Sequence, residues 1–171
     1  MTLEWLNINY YQTTSNGIEE IYVTINRNIE EIKEIYCLRW ENESVSDYDF
    51  EKSIKLVNNL IMKHNDIVNI VNEIINEYYV ILNAQMELMD IDEYHDLRLL
   101  IKEAVKNTKE EMEKFKISEN IELLINLKKN ILKQRNTFDI CNMIKKISDI
   151  NIHEMAIVEP ETFILPAEYI V

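Results

Sequence analysis

The chain has 171 residues, with one Gly, two Pro and a formal net charge of −13. So few turn-forming residues exclude a β-rich fold of this length, and the length fits a single domain. The charge excludes the long-range attraction that nucleic-acid and anionic-membrane binding depend on, so neither is expected as a partner.

An apolar fraction of 47% supplies a core of ordinary size. The chain holds 28 Ile and 20 Asn, the usage of AT-rich coding sequences, as in low-GC bacteria, phages, large DNA viruses and protists. Residues 1–14 read as an extended arm, because Leu6, Ile8 and Tyr10 alternate with Asn7 and Asn9. Ser15-Asn16-Gly17 is the strongest turn signal. A first helix is predicted over 17–41, with Ile18, Ile21, Tyr22, Ile25, Ile29, Ile32 and Tyr36 on one face and Ser15 or Asn16 as its cap. Residues 41–48 form a polar connection that ends at Ser46, a predicted cap for the next helix.

That helix, predicted over 49–89, is the spine. Leu60, Ile67, Val71, Ile74, Tyr78, Ile81 and Leu88 make one apolar row, and Ile61, Val68, Ile75, Leu82, Met86 and Met89 make a second beside it. Two rows make a sector wider than a dimeric coiled-coil seam needs. Lys63 and His64 interrupt the rows. Asp90 with Glu93 three residues later is a capping-box pattern, so a third helix is predicted over 92–115. Ser118 opens a fourth over 119–148, its stripe interrupted at Gln134 or Arg135. Residues 150–171 hold both prolines and no Lys or Arg, which predicts an extended apolar tail. The two arms are expected either to pair as a short two-stranded ribbon or to lie in separate grooves. The predicted class is all-α: an irregular bundle of four to five helices around a long central helix, with extended N- and C-terminal arms.

Few constellations carry chemistry. A di-iron bundle needs Glu-x-x-His on two helices, and the chain offers only Asp92 with His95. Arg135-Asn136 resembles the start of the catalytic motif of HEPN ribonucleases, which are all-helical and of similar size. Those enzymes follow it with a His for acid–base work, whereas Thr137, Phe138, Asp139, Ile140, Cys141 and Asn142 follow here. The resemblance therefore implies at most an inactive HEPN-like fold. A Gly-rich phosphate loop is missing. Pairs such as Glu110/Glu111 read as solvated helix faces. Lys128, Lys129, Lys133, Arg135, Lys145 and Lys146 read as a basic complement to the acidic first helix. No enzymatic site, cofactor or metal is expected.

Cys37 and Cys141 read as two reduced thiols. The start of the chain lacks a basic region followed by an unbroken apolar core, so a cytoplasmic location is expected. Two features exceed what a plain bundle needs: the acids Glu30, Glu31, Glu34, Glu41, Glu43 and Asp47, and the apolar tail with Phe163, Leu165 and Tyr169. Together they suggest a protein partner with a basic surface, and a small acidic binding factor that acts by contact. It would be of inhibitor or immunity type, in keeping with a phage- or virus-borne gene. The alternative is a structural subunit that self-assembles, for instance as a homodimer, through the same arms.

Overall fold

The computed structural model describes residues 3–6, 8, 10–12, 17–38, 44–133, 136–147 and 156–170. Among them run the helices α1 (Ile18–Tyr36), α2 (Asp47–Ala84), α3 (Ile91–Lys114), α4 (Ile117–Leu132) and α5 (Thr137–Lys145), with two short strands, β1 (Tyr10–Gln12) and β2 (Ala156–Val158). The fold is all-α, as the shortage of turn residues requires. The strands pair antiparallel, Tyr10 opposite Val158 and Gln12 opposite Ala156. Of the two alternatives for the arms, the ribbon is the one formed.

Helix ends follow local chemistry. Gly17 takes the cap position of α1 at φ 75°, a left-handed conformation that a side chain would resist. The expected caps Ser15 and Asn16 lie outside the described residues. Ser46 caps α2 as predicted, its Oγ accepting from Asp49 N–H at 3.1 Å. Asp90 caps α3 as predicted, its Oδ1 accepting from Glu93 N–H at 2.8 Å. Because that cap needs an extended approach, Met89 sits at φ −127°, ψ 154°, and α2 ends at Ala84 rather than 89, followed by a 3-10 turn, Met86–Leu88. The predicted fourth helix is two. Asn136 at φ −51°, ψ 138° leaves helical space, and its side chain accepts from Phe138 N–H at 2.7 Å to start α5 afresh.

The chain packs as two compact units. One comprises Thr14–Val68 and Phe115–Ile152, hence α1, the first part of α2, α4 and α5. Its core is the expected Ile stripe of α1 (Ile18, Ile25, Ile29, Ile32) with Val57, Leu60, Ile67, Leu124, Leu127, Ile131 and Ile144, all buried. Tyr22 meets Phe115 with ring centroids 6.3 Å apart. Helix α5 packs against both α1 and α4. The other unit comprises Met1–Thr13, Asn69–Lys114 and His153–Val171, and its core joins Val71, Ile74, Tyr78 and Leu82 of α2, Leu97 and Ile101 of α3, and Ile157, Val158, Phe163 and Leu165 of the tail. Among the described residues no helix is long and apolar enough to cross a membrane.

The cysteines correct the reading of reduced thiols. Cys37, just past α1, and Cys141, on α5, form a disulfide across a Cα–Cα distance of 5.1 Å. Their separation of 104 residues hid the pairing from sequence. Closing so long a loop removes much unfolded-state entropy, worth about 2–4 kcal/mol. Cys37→Ser, or reduction of the native chain, is expected to lower the unfolding free energy by about that amount in urea titrations. An unchanged midpoint would mean that the bridge contributes nothing.

Candidate functional site

The most heavily built place in the molecule is the seat of the tail. A buried segment must satisfy its backbone N–H and C=O groups, and side chains supply what its short strand and 3-10 turn do not. Tyr78 and Gln85 lie two turns apart on α2 and just past its end, and Asn107 and Glu111 lie one turn apart on α3. Asn107 Nδ2 donates to the Ala156 carbonyl at 3.3 Å, and Glu111 Oε2 accepts from Ala156 N–H at 3.2 Å. Tyr78 Oη donates to the Val158 carbonyl. Gln85 uses both ends of its amide: Nε2 donates to the Phe163 carbonyl at 2.6 Å, and Oε1 accepts from Leu165 N–H. The Phe163 ring stands edge-on to Tyr78, centroids 5.6 Å apart. Glu111 is thus half-buried and holds a backbone amide, which corrects its reading as part of a solvated face.

In the unit that holds α1, His64 is fully buried and has the partner its sequence context hid. Its Nδ1–H donates to the Leu60 carbonyl at 2.7 Å, which leaves Nε2 to accept from Asn120 Nδ2 at 3.2 Å. Burial holds the His64 pKa below its ordinary value, and the Leu60 carbonyl only partly opposes that shift. Both ring nitrogens are committed, so His64 is a neutral core residue rather than an acid–base catalyst. Asn136, the second residue of the ribonuclease-like pair, spends its side chain on the α5 cap, and Arg135 lies outside the described residues.

Asp90 and Glu93 form a carboxyl pair. The Glu93 backbone N–H, then its side chain, hold Asp90 below the ordinary carboxylate range. The hydrogen bond to Asp90, then burial, then the Asp90 charge raise Glu93. Of the two, Glu93 is therefore the carboxyl that takes up a proton first as pH falls. Among the described residues no cluster of His, Cys, Asp and Glu is arranged to hold a metal ion.

The residues expected to meet a partner divide between the units. Glu30 and Glu34 are exposed on α1 and Glu31 is half-exposed; Glu30 lies 3.6 Å from Lys33 in a surface pair of little energetic weight. Asp47 is exposed in the first turn of α2, where a negative charge favours the helix dipole. Glu41 and Glu43 lie outside the described residues. In the tail, Phe163 and Leu165 are buried in their own unit, so only Tyr169 of the three predicted residues faces outward. Near the start of α1, Glu19, Glu20, Val23 and Thr24 line a shallow, open depression of about 440 Å3. Compared with protein-family models, with curated proteins and with solved structures, the chain gives no significant match.

The His64 geometry fixes a pH dependence. A folded pKa below the unfolded value means that, as pH falls through about 6.5, the unfolded chain binds a proton the folded one refuses. Stability then declines by at most about 1.4 kcal/mol per pH unit until the folded pKa is reached. Urea titrations of the native chain and of His64→Gln, which keeps a partner for Asn120 without titrating, are expected to diverge progressively below about pH 6.5. Parallel curves would mean that the folded and unfolded pKa values of His64 are the same and that burial does not hold the folded one down.

Proposed function

We propose that this chain is a small acidic protein-binding factor that acts by contact, of inhibitor or immunity type, and that its partner presents a basic surface. The supporting observation is the solvent face of α1. Its buried side is almost wholly apolar, so its acids are not needed for packing, and Glu30 and Glu34 stand exposed with Glu31 beside them. A predominantly acidic face, on which Arg27 and Lys33 are the bases, on a chain of net charge −13 steers toward and covers a surface of the opposite sign. Lys33 is the lone base in the last turn of the helix and offsets little of that field.

The test is capture of the partner from the source cell on the immobilised chain, followed by salt elution. Retention is expected to fall as salt rises. Neutralising the face with Glu30→Gln, Glu31→Gln and Glu34→Gln together is expected to weaken retention roughly tenfold and to flatten the salt dependence, at about 0.5 kcal/mol per charge. Retention independent of both salt and these substitutions would remove α1 from the interface.

A further inference from the structure

Gln85 does more than close a core. By holding the Phe163 carbonyl and the Leu165 amide, it grips the backbone on both sides of Ile164. The two gripped residues point inward, and the one between them is 49% exposed. Gln85 also leads directly into the Met86–Leu88 turn and the Asp90 cap, after which Ile91 opens α3. Two short stretches, 86–91 and 164–170, are therefore tied together by one side chain. Both turn large apolar residues to solvent: Met86, Leu88 and Ile91 from the first, Ile164, Tyr169 and Ile170 from the second, with Ile91 reaching 85% exposure. Single exposed apolar residues are ordinary, but six on two stretches joined through Gln85 exceed that and are candidates for a contact surface.

Charge selects the occupant. Residues 64–97 and 147–171 contain no Lys or Arg. Glu87, Asp90, Asp92, Asp96, Glu161 and Glu168 are interleaved with the apolar residues and exposed. The first bases on α3 are Arg98 and Lys102, about 10 and 16 Å along the helix axis from Ile91. The same patch of a second copy, or an anionic lipid surface, would set acid against acid. An apolar surface flanked by Lys or Arg is complementary in both respects.

We propose that this patch seats a basic amphipathic segment of a partner protein, its apolar face on Ile91 and Ile164 and its cations over Glu87, Asp90 and Glu168. The proposal rests on the reading of the chain as a contact-acting acidic protein and gives the unit that holds the tail a contact surface of its own. The test is calorimetric titration of the full chain, near physiological salt, with a helical Leu/Lys peptide of about 18 residues whose Leu lie on one face. The matched Leu/Glu peptide is the control. Saturable one-to-one binding of the Leu/Lys peptide alone is expected. Ile91→Ser with Ile164→Ser, which leaves the charge unchanged, is expected to weaken it by about tenfold or more. Glu30→Gln, Glu31→Gln and Glu34→Gln are expected to change it less than about threefold. Both Ile positions are exposed, so an unfolding midpoint close to native certifies that the double variant folds.

No saturable binding, or binding unaffected by the Ile substitutions, would overturn the proposal. Binding lost only in the α1 variant would overturn it too, yet leave the contact-acting reading standing. A mass that doubles with concentration and reverts to monomer in the Ile variant would assign the patch to a second copy. Sedimentation with phosphatidylcholine vesicles, abolished by the same substitutions, would assign it to a membrane. Either result overturns the proposal.

Discussion

The unit that contains the tail depends on a constraint older than packing: a buried backbone must have hydrogen-bond partners. Residues 156–165 cross a core with three residues in a short ribbon strand and four in a 3-10 turn, a local framework too small to serve the whole segment. Side chains on α2, just past its end and on α3 add further partners. Glu111 and Asn107 take the two backbone groups of Ala156, Tyr78 takes the Val158 carbonyl, and Gln85 takes one group on each side of Ile164. Without these bonds, burying Phe163 and Leu165 would strand polar groups, at about 1–3 kcal/mol each. With them, the same residues add apolar area at little cost. The clamp also decides which residues face out, because fixing positions 163 and 165 inward leaves 164 no inward site.

The other unit solves a different problem. Its helices present nearly continuous Ile and Leu surfaces, which tolerate sliding and rotation. Three specific contacts define the arrangement: the Cys37–Cys141 bridge, the His64–Asn120 pair and the Tyr36–Ser53 hydrogen bond at 2.9 Å. Each lies inside an apolar face, where an unmatched partner is costly. A buried polar pair of this kind gives little net stability but penalises every other register.

Much of this was legible in the sequence, and the failures share a cause. Periodicity located α1, α2 and α3 and treated α4 and α5 as one helix, and Ser46 and Asp90 marked two starts, because caps are local chemistry. The interruption of the stripe at Gln134 or Arg135 reads as a blemish within one helix, and the Asn136 cap shows that it is where the helix restarts. His64 looked like an interruption because its partner, Asn120, lies 56 residues away. Gln85 carried no signal at all, as a polar residue at a helix end is usually solvated. Phe163 and Leu165 were read as reaching outward, since two prolines and a run of apolar residues describe an arm equally well whether it is free or docked. The arms' pairing was legible as one of two alternatives, but long-range side-chain pairing was not, nor were the residues that hold the tail and shape its exposed patch.

The central claim is that the tail is an integral, side-chain-clamped part of its unit. Native-state amide hydrogen exchange tests it most directly, at Ala156 and Leu165, whose N–H groups donate to Glu111 and Gln85. The account predicts that both amides exchange only through global unfolding, with protection matching that of core amides in α3, and that Gln85→Ala releases Leu165 selectively. Exchange of Leu165 at the rate of an open loop in the native chain would contradict it.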